Sequence, residues 1–233
     1  MNDNMKNAIE DLKPKERKKT INQKHKGKRG ETWFADKLSE VSQLNFERIY
    51  TSGASVGKTN SSKLLKLTQA QSESQLGDIN SPEDLKYYYI WEIKNYNEVS
   101  LHQLFSKSFS KQINGWLDEL EFDLLSAQTK LKDNYRIPIG FLCIKMSRKG
   151  EWIIGNFNYL QKKVFLDNPI ILNNFLTFNR TFNKDLKFYE STYFMTDFTE
   201  FITDNKKILF DIDYSRQQRK TEALQAYERI MSQ

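Results

Sequence analysis

Three charged residues in this chain have the types and spacing of a metal-binding, water-activating set. Asp78 lies in LGDI (76–79), and fourteen residues later Glu92 and Lys94 lie in YYYIWEIKNY (87–96). The second stretch is aromatic and β-branched, so it reads as a strand. Residues i and i+2 of a strand share a face, which sets Glu92 beside Lys94 and turns Ile93 to the other side. Charges projecting from an otherwise apolar strand are costly unless they are paired or bind a metal. Two strands carrying Asp78 and Glu92 side by side form a hard oxygen site for Mg²⁺, with Mn²⁺ as a substitute. The carbonyl of Ile93 is available to the same ion. Lys94 would hold or polarise a water, or offset charge on a phosphate. The plainer alternative is a cross-strand salt bridge on an exposed face.

The elements that must position this set follow from apolar spacing. Residues 30–44 carry Trp33, Phe34, Leu38, Val41 and Leu44 at helical intervals. FERIYTS (46–52) suits a short strand, and 53–75, rich in Gly, Ser, Thr and Gln, a long loop. Residues 99–128 return to helical spacing. PIGFLCIKM (138–146) and EWIIGNF (151–157) flank the turn RKG as a hairpin. The expected fold is α/β, a central mixed sheet flanked by helices over residues 30–157. Residues 1–29 read as a basic, flexible arm, and 158–233 as an α-rich C-terminal extension or small subdomain ending in an amphipathic helix.

The order helix, strand, strand with Asp, strand with Glu-x-Lys, helix, strand resembles the PD-(D/E)XK nuclease superfamily. KGKRGETWFADKL resembles the opening helix of archaeal-type Holliday junction resolvases, and YTSGAS their next segment. The resemblance covers residues 26–157. It implies a restriction-endonuclease-like core in which Glu31 joins Asp78, Glu92 and the Ile93 carbonyl around the metal. Lys94 would assist the attacking water, Ser52 would contact the scissile phosphate region, and Gln112 the substrate. It also implies Mg²⁺-dependent cleavage of DNA, branched DNA by the resolvase likeness, and a two-fold homodimer to cut both strands. Two features depart from the pattern. Gly77, not proline, precedes Asp78, and 57–75 read as an insertion.

Other readings compete. YTSGASVGKT (50–59) ends like a phosphate-binding loop, but that motif needs glycine at 52, where Ser52 stands. As a phosphate loop it would make Lys58 the key residue; in a nuclease Lys58 is one more cation near DNA. A restriction- or repair-type nuclease would share the site, and a non-catalytic DNA-binding protein would need only the cations. Those are concentrated. Residues 13–29 hold nine Lys/Arg and one acid, and residues 30–233 sum to zero charge. Lys26, Lys28 and Arg29 close this segment as candidate backbone contacts.

The single cysteine, Cys143, rules out a disulfide framework or a cysteine zinc cluster and reads as a buried core residue. No apolar run is long enough to span a membrane, and the polar first residues lack a signal-peptide core, so a cytoplasmic location is expected, in a host cell if the origin is viral or plasmid. His25 and His102 read as surface residues. The acids Asp118, Glu119, Glu121 and Asp123 read as a solvated helix face.

Overall fold

The computed structural model describes residues 16–50, 76–99, 101, 111–130, 136–184, 187–215 and 218. Helix α1 (Glu16–Ser42) leads into strands β1 (Glu47–Arg48), β2 (Ile79–Asn80) and β3 (Tyr88–Tyr96). Helix α2 (Lys111–Lys130) crosses to β4 (Pro138–Met146), and a turn leads to β5 (Gly150–Asn156). A short helix α3 (Phe157–Tyr159) runs into one π-helical turn, Leu160–Val164. Strands β6 (Leu176–Lys184) and β7 (Lys187–Asp197) form a hairpin before the short helices α4 (Phe198–Asp204) and α5 (Lys206–Leu209).

The seven strands form one sheet in the order β1-β2-β3-β4-β5-β7-β6. Only β3 and β4 are parallel. That pair needs a crossover, and α2 supplies it. The result is the mixed, helix-flanked sheet expected from the sequence.

Alternation along β3 divides the molecule into two cores. Tyr89, Trp91 and Ile93 face one side, with Phe34 and Leu38 of α1 and Phe198, Phe201 and Ile202 of α4. Tyr89, Trp91 and Phe141 stack there, with ring centroids 5.2–6.2 Å apart. Tyr88 and Ile90 face the other side, against Ile113, Leu117 and Leu120 of α2. Glu92 and Lys94 continue the second row, so the charged pair lies on the α2 side of the sheet.

The structure corrects two segments. Residues 16–29 are helical and continuous with α1, so this part of the basic arm is not a flexible leader. The C-terminal stretch is not α-rich over 176–197. It is a β-hairpin that extends the same sheet, pairing Trp152 with Asp197 and Asn156 with Tyr193. Period-two alternation explains it: Tyr193 and Met195 face α2 while Phe194 faces the aromatic core. Strand β1 is shorter than expected. The long loop, the first half of the second helix and nearly all of the terminal helix lie outside the described residues.

Gly155 lets β5 and β7 close on the core. A Cβ there would sit 2.8 Å from the Phe194 ring and 3.0 Å from Phe141. Gly155→Ala is therefore expected to destabilise the fold by about 1–3 kcal/mol. The urea midpoint should fall with the m-value unchanged; an unmoved midpoint would show that this contact is looser than it stands here.

Candidate active site

Asp78 is clamped between two strands. Its amide donates to the Trp91 carbonyl (2.7 Å) and its carbonyl accepts from Ile49 (2.9 Å). Its Oδ2 accepts the amide of Ile93 at 2.8 Å. The residue before it makes this possible. Gly77 has φ +78°, and a Cβ would meet the Trp91 carbonyl at 2.9 Å. Only glycine takes that conformation and that close approach without strain. The register pairs Ile79 with Trp91, so one step on, Asp78 comes beside Glu92.

Glu92 is 9% exposed. Its Oε1 lies 2.5 Å from Lys94 Nζ, which also reaches Glu119 Oε2 of α2 at 3.2 Å. The Lys94 ammonium stands 5.9 Å from the Trp116 ring centroid. Burial, and then the Asp78 charge, raise the Glu92 carboxyl from its ordinary 4.5 to about 7 against the pull of Lys94. For Lys94, burial favours the neutral amine, but Glu92, Glu119 and Asp78 outweigh it and hold the ammonium well above its ordinary value. Cys143 pairs with Ile93 on the neighbouring strand, fully buried. Burial and the nearby acids push its thiol up, which suits an inert core residue.

The structure thus brings Asp78, Glu92, Lys94 and the Ile93 backbone together. Glu31 is different. It lies on α1, which packs against the opposite face of the sheet, and its Oε2 stands 3.0 Å from Arg48 Nε. That contact is an ion pair without a directed hydrogen bond. Burial raises the Glu31 carboxyl and Arg48 opposes it; Glu92 and Lys94 also act on it, as lesser charges. Lys28 and Arg29 are exposed, as is Gln112 in the first turn of α2. Lys26 bonds Asn97. Ser52 and Lys58 lie outside the described residues.

Among the described residues no three acidic, histidine or cysteine side chains are gathered closely enough to hold a metal ion between them. The donor chemistry nonetheless fits Mg²⁺, which keeps several waters and commonly needs one or two carboxylates. Asp78 and Glu92 are those two. Their mutual repulsion in a buried place, visible in the raised Glu92 carboxyl, is what a divalent cation relieves.

Helix α2 adds acids that the sequence reading left in solvent. Asp118 and Glu121 both bond Arg180 of β6, and Glu121 also bonds the Tyr193 hydroxyl. Glu119 and Asp123, one turn apart, face the site instead. Burial, then Glu92, raise the Asp123 carboxyl from an ordinary 3.8 to about 7, with the nearby Gly77 amide opposing them. The available signal was spacing. Positions 116, 119, 120 and 123 share one helical face, and Trp116 and Leu120 mark that face as packed.

Residues 22–210 match the model of a family described as "Phage putative PDDEXK endonuclease". No curated protein and no solved structure matches the chain.

In the metal-free protein, Asp123 and Glu92 hold their protons more tightly folded than unfolded. The stability they contribute is full below about pH 4 and is lost as pH rises through about 7. Asp123→Asn keeps the size and polarity of the side chain but removes the charge. It is expected to be more stable than the unmodified chain at pH 8, by on the order of 2 kcal/mol, with no gain at pH 4. Urea titrations in EDTA across that range would show it, and equal midpoints at pH 8 would place Asp123 in solvent after all.

Proposed function

The chain belongs to the phage PD-(D/E)XK endonuclease family, and from that premise we propose that it is a Mg²⁺-dependent endonuclease cutting DNA with Asp78, Glu92 and Lys94. The observation that carries this reading is the buried Glu92 carboxyl, set beside Asp78 and bridged by Lys94 on the same strand face. A divalent cation held by the two carboxylates and the Ile93 carbonyl would acidify a water as nucleophile and offset charge on the scissile phosphate.

The chain's own residues do the rest. The Ile93 amide fixes the Asp78 carboxylate, so its orientation costs nothing on substrate arrival. Lys94 stays protonated between Glu92 and Glu119. It therefore acts as a donor and a positive charge, orienting water or a phosphate oxygen, and not as the base. Glu31 adds a further acid to the site where Arg48 releases it. Ser52 and Lys58 belong to the proposal as phosphate contacts, and Gln112 as a substrate contact on α2.

For the substrate, the likeness of the opening helix and motif order to archaeal-type resolvases favours a four-way junction. Symmetric cleavage there needs two sites, and hence a homodimer. Among the described residues no helix is long and apolar enough to cross a membrane, and the family's phage origin fits action in the host cytoplasm.

Cleavage of supercoiled plasmid, linear duplex and a four-way junction in Mg²⁺ or Mn²⁺ tests the reading. Asp78→Asn and Lys94→Ala are each expected to lower the rate by about 10³-fold. Because Glu92 must shed its proton, activity should climb between pH 6 and 8. DNA left intact by the unmodified chain in both metals, with no heat of metal binding, would instead mark a non-catalytic DNA-binding protein. Junction and duplex cut equally would remove the junction preference and leave a restriction- or repair-type nuclease.

A further inference from the structure

The turn between β4 and β5, Ser147–Arg148–Lys149, lies outside the candidate active site. Arg148 has φ +64°. That left-handed conformation is cheap for glycine or asparagine and costs about 1 kcal/mol for a long side chain. Arg148 is exposed and, among the described residues, has no hydrogen bond or ion pair that would compensate.

The turn is firmly fastened. The Lys149 amide closes it on the Met146 carbonyl at 3.1 Å, and the Ser147 amide donates to Tyr96 at 3.2 Å. The Trp152 indole donates to the Lys149 carbonyl at 3.1 Å. It is also joined to the basic helix. Asn97 Oδ1 accepts both Ser147 Oγ (3.3 Å) and the Lys26 ammonium. Asn95 donates to the Lys26 carbonyl at 2.7 Å. Hydrogen bonds therefore link the turn, the end of β3 and Lys26 of α1.

Its position relative to the site is fixed by register. Lys94 pairs with Ile144 in the parallel ladder, and Ser147 lies three residues further, about 10 Å along the strand. The Lys149 ammonium pairs with Glu98 at 2.9 Å, and both side chains are more than half exposed, so that pair yields readily to a competing anion.

We propose that this turn and the Lys26–Arg29 segment form one clamp on the phosphate backbone of duplex DNA flanking the cleavage site, with Arg148 as its central contact. The guanidinium fork suits phosphate oxygens, and a contact to phosphate positions the duplex without reading its bases. The inference rests on the reading of DNA as substrate.

Arg148→Gly separates the charge from the backbone. Glycine relieves the left-handed strain, so the melting temperature should stay level or rise. Binding of a fluorescent duplex to the full chain in EDTA, where cleavage is off, should weaken about 5–10-fold at 0.1 M salt. The slope of log Kd against log salt should become shallower by about one. Arg148→Lys should restore most of the affinity. Unchanged affinity and slope in Arg148→Gly would overturn the clamp while leaving cleavage by the unmodified chain, and its loss in Asp78→Asn, untouched. Conversely, a chain that cleaves nothing yet loses affinity in Arg148→Gly would keep the clamp and sink the nuclease.

Discussion

Burying one carboxylate beside another is the constraint on which this structure turns. Glu92 is almost out of water, and the nearest charge in register is Asp78. Neither would settle there for the sake of folding, since desolvation and repulsion both oppose it. The surroundings show how the penalty is contained. Lys94 lies on the same face, two residues on. Glu119 balances Lys94 from α2, and the Ile93 amide holds Asp78. These contacts offset the cost without abolishing it, which is why the Glu92 carboxyl titrates near neutrality. Carboxyls displaced in this way concentrate where function requires them.

The sidedness of β3 governs which parts of the molecule take part. Its odd-numbered residues supply the aromatic stack that seats α1 and α4. Its even-numbered residues run from apolar to charged beneath α2. Helix α2 therefore shares the active face, while α1 sends Glu31 from the opposite side of the sheet. That difference explains why Glu119 pairs directly with Lys94 and Asp123 feels the Glu92 charge, whereas Glu31 is engaged by Arg48.

How far this could be read from sequence depends on the distance over which each feature is decided. The strand bearing Glu92 and Lys94 was legible because ten consecutive residues fix it, and period two alone places both charges on one face. Cys143 and the β4–β5 hairpin were legible for the same reason. The C-terminal hairpin was not, because KFYESTYFMTDFTEFI satisfies both helical and strand patterns. Its partner β5, some forty residues earlier, decides the matter. The acids of α2 failed differently. Asp118 and Glu121 face Arg180, Glu119 and Asp123 face the site, and a run of four acids looks solvated until both partners are in place.

The glycine that replaces the superfamily's proline before the first acid shows how these parts depend on one another. Proline fixes φ near −65° and has no amide hydrogen. Position 77 here has φ +78°, and any atom placed at its Cβ would meet the Trp91 carbonyl at 2.9 Å. A proline would fail on both counts. Asp78 is held instead by the Trp91 carbonyl and by the Ile49 and Ile93 amides. The seating of α2 upon the sheet bears on this site through Glu119, which pairs with Lys94. That seating is secured on the helix's other flank by Arg180 and Tyr193, which bond Asp118 and Glu121 from β6 and β7. The C-terminal hairpin names no chemistry in its own sequence, yet it anchors the helix whose Glu119 pairs with Lys94. It therefore belongs physically to the same unit as the site, and the family match running to residue 210 agrees with that.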